Sequence, residues 1–195
     1  MTGVTEWLLT GMLNYGSALL GVALFLAALG IPLPASVLLM AAGAFTSQGV
    51  LPLEGAVVAA TSGAVAGDAC SYLVGRFSLR WVPSSVLASG GWARAAASFA
   101  RWGGWGVFFS RFLLTPIALP VNLLAGSTRY AWARFMSAVV AGEVVWVFLF
   151  GGLGHLFANQ WEALSRLAAD IGAVVLGLAL VAAGLWALIA HRRAH

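Results

Sequence analysis

Residues 30–43 read GIPLPASVLLMAAG, and this stretch decides the fold of the chain. Pro32 and Pro34 lack a backbone N–H and clash with the preceding turn, so a continuous helix cannot pass through them. The apolar run after them, residues 35–46, falls well short of the roughly 20 residues that a spanning helix needs. Because it is also too apolar for an aqueous loop, we expect it to form a re-entrant segment that enters the bilayer and turns back.

The composition of the whole chain indicates a membrane protein. Of 195 residues, 62% are hydrophobic and 8% are charged, and the mean hydropathy is +0.96. Soluble domains carry about 25% charged residues. The single cysteine, Cys70, excludes an internal disulfide, and no Cys/His group has metal-ligand spacing. We therefore expect an integral membrane protein with the bilayer as its surroundings, no metal or other cofactor, and no nucleic-acid partner.

Apolar runs outside this stretch predict about four spanning helices in one membrane domain over residues 1–195. They lie at about residues 14–29, 50–74, 131–157 and 171–190. The second run carries small residues every four positions, a pattern that lets another helix approach closely. These residues are Ala59, Gly63, Gly67, Ser71 and Gly75.

A second re-entrant segment is predicted at residues 104–126, an apolar run that Pro116 and Pro120 interrupt. Just before it, residues 90–101 have apolar and basic side chains on opposite faces, which predicts an interfacial amphipathic helix. The fold class is therefore an all-α polytopic membrane protein with two re-entrant hairpins.

The two re-entrant segments resemble each other in sequence. PASVLLMAAG (residues 34–43) and PVNLLAG (residues 120–126) share a proline, a small polar residue two positions later, a Leu-Leu pair and Ala-Gly. The polar residues are Ser36 and Asn122, and the closing glycines are Gly43 and Gly126. The predicted topology brings the segments in from opposite sides, and inverted repeats of this kind are typical of transporters.

The arginines set the orientation. The predicted spans place both termini and eight arginines on one side of the membrane and Arg166 on the other. The positive-inside rule assigns the arginine-rich side to the cytoplasm. We expect a multi-pass protein of the bacterial cytoplasmic membrane with both termini inside the cell.

Three blocks in this order resemble the DedA family of membrane proteins, also called the SNARE-associated Golgi protein or VTT-domain family. They are GIPLPASVLLMAAG, GDACSYLVGRF and SRFLLTPIALPVNLLAGSTRYAWARF, within a core of about residues 20–160. The resemblance implies a lipid transporter, and several bacterial members are implicated in moving undecaprenyl phosphate across the cytoplasmic membrane. By motif position, the residues of this chain that match the pattern of the family are Pro32, Pro34, Asp68, Tyr72, Gly75, Arg76, Arg111, Pro116 and Gly126.

Arg111 is the leading candidate for binding a substrate phosphate. A charge at the bilayer centre costs roughly 2.5 to 3.5 kcal/mol, so it needs a partner or a purpose. Arg111 precedes the prolines of the second hairpin, where its planar guanidinium can hold a phosphate through two hydrogen bonds. The alternative is an arginine that snorkels to the interface. Further candidate substrate ligands are Arg76, Asn122 and Ser36, although the last two can equally bond the hairpin backbones.

Asp68 and Glu143 are the candidates for proton coupling. Asp68, Tyr72 and Arg76 are four residues apart and form either a local ladder or a proton site beside Arg111. Glu143 has no cation within a helical turn, so it must face the interior, pair with a hairpin arginine or keep its proton.

The resemblance also shows where this chain departs from the family. Typical members carry acids around the first proline block, where this chain has Ala27 and Ser36. They often carry a second arginine beyond the first, where residues 114–119 are uncharged. We therefore expect Glu143 to take over the proton role.

The function expected is a flippase that recycles undecaprenyl phosphate, with proton coupling as an added hypothesis. The alternatives are a less specific phospholipid scramblase and a non-transporting membrane organiser, and homo-oligomerisation is open. A membrane lipid phosphatase is less favoured, because no clustered His or Cys and no paired carboxylates are evident in the sequence.

Overall fold

The computed structural model describes residues 10–11, 15–78, 90–113 and 115–158. This part of the chain is helical and contains no strand. Its helices are α1 (Ser17–Ala28), α2 (Ala35–Ser47), α3 (Leu53–Ser78), α4 (Gly90–Phe112), α5 (Ala118–Ser127) and α6 (Trp132–Leu156). A 3-10 turn over Thr115–Ile117 precedes α5, and a π-helical turn over Val147–Gly151 interrupts α6. The all-α prediction is confirmed for these residues.

By length and composition, α3 with 26 residues and α6 with 25 residues can cross a membrane. They match the spans predicted at about residues 50–74 and 131–157. The last predicted span, residues 171–190, and both termini lie outside the described residues, so the predicted position of the termini stays a prediction.

The first predicted span differs from the structure, because α1 and α2 are the two arms of one hairpin. α1 has 12 residues and α2 has 13, each well short of a spanning length. Ser17 lies beside Gly55, and the Ser71 hydroxyl donates to the carbonyl oxygen of Ala28 at 2.9 Å. α1 therefore runs in the same direction as α3. Gly30, with a φ of 98° that suits glycine, begins the turn that Pro32 and Pro34 continue into α2.

The second hairpin, formed by α4 and α5, has a longer first arm than the sequence indicates. α4 runs for 23 residues without a break, so the interfacial helix predicted over residues 90–101 is continuous with the re-entrant arm. α4 continues through Gly103 and Gly104, where Phe99 packs over the first and the Tyr130 hydroxyl lies against the second. The helix ends at Phe112, and the 3-10 turn over Thr115–Ile117 follows. Pro116 lies in the 3-10 turn, while Pro120 lies in the first turn of α5, where proline is tolerated.

Each hairpin packs on the long helix of the other half of the chain. A Cβ on Gly43 of α2 would overlap the backbone of α6 at Gly151, and one on Gly154 would overlap Met40. In the other half, a Cβ on Gly126 of α5 would overlap Tyr72 of α3, and one on Gly75 would overlap Leu123. Met40 and Leu123 each precede the hairpin glycine by three residues, so the two contacts repeat each other.

This agreement supports the predicted inverted repeat but changes its register. When Gly43 and Gly126 are aligned, Asn122 corresponds to Leu39 and not to Ser36. The two hairpin tips also meet, because Gly30 lies against the Leu119 side chain.

The stripe of small residues on α3 has the packing role expected of it. A Cβ on Gly63 would overlap Gly21 of α1, and one on Gly67 would overlap Phe25 and Ala28. α1 therefore lies directly along this face of α3.

Gly154→Ala is expected to destabilise the fold strongly, because the added methyl meets the α2 backbone rather than a movable side chain. We expect a loss of about 2 kcal/mol or more, as for other overpacked sites. Gly152→Ala in the same helix is the matched control, since no atom lies within 4 Å of its added Cβ. Thermal unfolding of the purified proteins measures both. Equal melting temperatures for the two variants would contradict the close α2–α6 contact.

The two long helices α3 and α6 both contribute to two apolar clusters, which lie at different positions along the helices. The first includes Ala64 of α3 and Trp146 of α6, and the second includes Tyr72 of α3 and Val139 of α6. The charged side chains of α3 and α6 that lie between these positions are Asp68 and Glu143. The fold therefore holds both carboxyl groups between two apolar layers.

Candidate functional site

Four helices each contribute one polar side chain to a buried cluster. Asp68 comes from α3, Arg111 from α4, Asn122 from α5 and Glu143 from α6. Their exposed fractions are 2%, 2%, 0% and 6%, respectively. Asp68 belongs to the first half of the chain and the other three to the second half, so the cluster forms only when the two halves interlock.

Arg111 is the centre of this network. Its Nη1 donates to Asp68 Oδ1 at 2.6 Å, and its Nη2 donates to Asn122 Oδ1 at 2.5 Å. Its Nε donates to the carbonyl oxygen of Val107 one turn earlier at 3.2 Å. Asn122 Nδ2 closes the ring by donating to Asp68 Oδ1 at 2.7 Å. Arg111 is thus held inside the protein and does not snorkel.

Glu143 completes the cluster with a second carboxyl group. Its Oε1 lies 3.9 Å from Arg111 Nη1, so the hairpin arginine is the cation near it. The other oxygen of Asp68, Oδ2, is buried without a hydrogen-bond partner among the described residues. One guanidinium group therefore lies among two carboxyl groups inside the protein.

Gly142 explains how Arg111 fits between the helices. A Cβ at this position would lie 2.5 Å from Arg111 Cγ and 2.9 Å from the carbonyl oxygen of Phe108. The absence of a side chain on α6 therefore makes room for the aliphatic part of the arginine.

Gly142→Ala is expected to displace Arg111 from Asp68, because the added methyl occupies the space of the arginine stem. We expect activity to fall by about tenfold or more, the effect of losing roughly 1.4 kcal/mol of a precise contact. The assay is lipid-phosphate transport in reconstituted vesicles, normalised to folded protein. Gly106→Ala on α4 is the control, since its added Cβ would meet no atom within 4 Å. Normal transport by Gly142→Ala would show that the arginine position is not critical.

Comparison with known proteins places this fold in a family. A VTT domain matches residues 33–156, which include all four side chains of the cluster. The chain belongs to the VTT-domain family. This membership confirms the resemblance to DedA proteins that the three sequence blocks indicate.

Several relatives of this VTT-domain protein are membrane proteins. It is 30% identical over 156 residues to an uncharacterized membrane protein of Synechocystis sp., covering 75% of this chain and 68% of that protein. It is 24% identical over 198 residues to undecaprenyl phosphate transporter A of Bacillus subtilis, covering 100% and 98%. It is 26% identical over 163 residues to an alkaline phosphatase-like protein of Lactococcus lactis subsp. cremoris, covering 75% and 73%. No solved structure matches the chain.

Two predicted substrate ligands of this VTT domain lie outside the cluster. Arg76 is exposed, and its Nη1 donates to the Tyr72 hydroxyl at 3.2 Å. Tyr72 in turn donates to the carbonyl oxygen of Tyr130 at 2.5 Å. Asp68 accepts a hydrogen bond from Arg111 on another helix. It therefore does not form a local ladder with Tyr72 and Arg76 along α3. Ser36 is half-buried in the first turn of α2, with no described hydrogen bond to the cluster.

The VTT domain also has features near the cluster that sequence reasoning missed. The π-helical turn of α6 begins four residues after Glu143, and such turns are frequent at functional sites. Trp146 precedes the turn with 4% of its surface exposed, and its Nε1 has no acceptor among the described residues. Neither feature has a signature in the sequence, because an extra residue in a helical turn is not encoded by proline, glycine or charge.

Proposed function

We propose that the protein transports a lipid phosphate across the bacterial cytoplasmic membrane, with undecaprenyl phosphate as the substrate and Arg111 as its ligand. The observation that carries this proposal is the buried arginine held by three other helices where the two halves of the chain interlock. Membership of the VTT-domain family and the likeness to a protein named undecaprenyl phosphate transporter A support it. Another relative is named an alkaline phosphatase-like protein. A transporter explains the buried arginine and the likeness to undecaprenyl phosphate transporter A better than a phosphatase does.

Each of the three guanidinium nitrogens of Arg111 has a partner in the described conformation. Its Nη1 and Nη2 are bound by Asp68 and Asn122, and 2% of the residue is exposed. A phosphate reaches the guanidinium only when these partners release it. The phosphate oxygens then take their place through two parallel charge-assisted hydrogen bonds.

Release of Asp68 provides a reason for proton coupling. When a phosphate replaces Asp68 as the counter-ion of Arg111, the carboxyl group stays in an apolar layer and needs a proton. Glu143 lies beside the same guanidinium, with its Oε1 3.9 Å from Arg111 Nη1, and in this proposal it passes the proton on. Moving one negative charge toward an inside-negative compartment costs about 2.3 kcal/mol per 100 mV. A proton that travels with a singly charged phosphate cancels this cost.

The interlocked hairpins supply the movement that the proposal needs. In many transporters one repeat rocks against the other around a fixed site at their interface. Here α5 packs on α3 and α2 packs on α6 through glycine contacts, and Arg111 lies on the arm before α5. Sliding of α5 along α3 changes the distance between Asn122 and Asp68, which opens the ring around Arg111.

Transport in vesicles tests this function and separates it from the alternatives. The purified protein is reconstituted with a short-chain polyprenyl phosphate in both leaflets, and a membrane-impermeant phosphatase is added outside. Conversion of the inner-leaflet pool then reports transport. A parallel sample measures the movement of labelled phosphatidylglycerol. We expect polyprenyl phosphate to cross at least about tenfold faster, a difference of roughly 1.4 kcal/mol.

The other outcomes identify the competing functions. Equal rates for the two lipids would indicate a general scramblase. No movement of either lipid would contradict transport and favour a membrane organiser. Hydrolysis of polyprenyl phosphate without added phosphatase would favour the enzyme.

A further inference from the structure

We propose that a cavity at the turn between α5 and α6 is a second anion site, which receives the phosphate monoester headgroup before it reaches Arg111. The cavity has a volume of about 190 Å³. Its lining residues are Ala100, Thr128, Arg129, Tyr130, Ala131 and Arg134. The inference deepens the proposed function, since it adds a docking step for the same substrate class.

The charge of the cavity points to an anion. Arg129 and Arg134 both line it and both are exposed. No carboxylate in the described part of the chain pairs with either of them. Asp68 and Glu143 are committed to Arg111, and Glu54 lies in the first turn of α3, at the opposite end of that helix from Tyr72 and Arg76. Two guanidinium groups with no carboxylate partner among the described residues form a site that fits a phosphate monoester.

The backbone of the cavity adds hydrogen-bond donors. α6 begins at Trp132, and no side chain caps it. The N–H groups of Trp132, Ala133 and Arg134 therefore have no acceptor within the helix. Uncapped N–H groups beside two arginines favour an anion more than either feature does alone. Trp132, 43% exposed, supplies an amphipathic ring of the kind that settles at the headgroup level.

A short chain of contacts connects this cavity with the buried cluster. The Tyr130 carbonyl, at the cavity wall, accepts the hydrogen bond from the Tyr72 hydroxyl. Tyr72 lies one helical turn from Asp68, which binds Arg111. Arg76 also donates to Tyr72, so a third arginine lies at the same end of the molecule. The cavity wall is therefore connected with Arg111 through Tyr72 and Asp68, which are one helical turn apart on α3.

Binding by the full-length protein tests the site without relying on transport. Native mass spectrometry in detergent measures the apparent affinity for a short-chain polyprenyl phosphate, for the matching polyprenol without phosphate, and for inorganic phosphate. The variants are Arg129→Gln and Arg134→Gln. Arg101→Gln is the matched control, because Arg101 is exposed on α4 next to Ala100 but does not line the cavity.

We expect Arg129→Gln and Arg134→Gln each to weaken polyprenyl phosphate binding about fivefold or more, the size of a lost charge-assisted contact. Arg101→Gln should stay within about twofold of the wild type, since exposed charges contribute little. Polyprenol binding should not change in any variant. Binding of the lipid but not of inorganic phosphate assigns the site to the lipid headgroup, and binding of both assigns it to phosphate from either source.

Unchanged affinity in both cavity variants would overturn the site. An equal loss in Arg101→Gln would also overturn it, since the effect would then be general surface charge. The outcome is separate from that of the proposed function. If the protein binds polyprenyl phosphate through Arg129 and Arg134 but moves no lipid, the result contradicts only the proposed transport function. If the Arg129→Gln and Arg134→Gln variants bind and transport as the wild type does, the result contradicts only the proposed anion site in the cavity.

Discussion

Arg111→Gln is expected to lose transport almost completely, by about 100-fold or more, and to lower the free energy of unfolding by about 3 to 5 kcal/mol. The stability loss follows because Asp68, 2% exposed, is left without its cation and must either hold a buried charge or take up a proton. The transport loss follows because the phosphate has no bidentate donor at the interface of the two halves. Thermal unfolding and vesicle transport, each normalised to folded protein, measure the two effects.

Arg101→Gln is the control for the charge change, since this exposed arginine contacts the Trp102 ring and no described carboxylate. Its transport rate should match the wild type. If Arg111→Gln folds and still transports at more than about half of the wild-type rate, a difference below 0.5 kcal/mol, Arg111 is not the phosphate ligand.

Glu143→Gln is expected to remove the response of transport to a pH gradient. The amide keeps the shape and the hydrogen-bonding capacity of the side chain but carries no exchangeable acidic proton. For one coupled proton, a gradient of one pH unit contributes about 1.36 kcal/mol. This corresponds to a roughly tenfold ratio of wild-type transport with the gradient to wild-type transport without it. We expect this ratio to fall to about one in the variant. Transport measured with and without an imposed gradient, at equal outside pH, gives the ratio.

Glu54→Gln is the matched control for this experiment. Glu54 is exposed in the first turn of α3 and contacts none of the four cluster residues. Its response to the gradient should equal that of the wild type. A full response in Glu143→Gln would assign the proton to another group, and Asp68 is the remaining carboxyl of the cluster.

Much of the helix pattern follows from local sequence. The proline pair after Gly30 determines where the first hairpin turns, and α2, α3 and α6 lie close to their predicted positions. Apolar length alone predicts a span over residues 14–29, whereas α1 begins at Ser17, after Gly16 with a φ of 63°, and has 12 residues. The sequence separates an interfacial helix over residues 90–101 from the second re-entrant segment, whereas α4 runs unbroken from Gly90 to Phe112.

The members of the buried cluster were predicted one at a time. Each stands out as a polar residue in an apolar run, so Asp68, Arg111, Asn122 and Glu143 are all found from the sequence. Contacts of Asp68 and Glu143 with Arg111 are among the alternatives that the sequence leaves open. The sequence does not decide between them, because the contacts join four helices and the hydrogen-bonded pairs are up to 54 residues apart. The structure also changes the register of the repeat. The sequence pairs Ser36 with Asn122, whereas the glycine contacts align Asn122 with Leu39.

The double variant Asp68→Asn/Arg111→Gln tests the central claim most directly, namely that the buried cluster is a transport site and not a structural ion pair. Replacing both partners removes the uncompensated charge, so stability should return to within about 1 to 2 kcal/mol of the wild type. The measurement is the rate of polyprenyl phosphate transport per folded protein in vesicles. We predict a variant that folds and moves lipid no faster than Arg111→Gln. A variant that folds and transports at the wild-type rate would contradict the claim and leave the cluster with a role in stability alone.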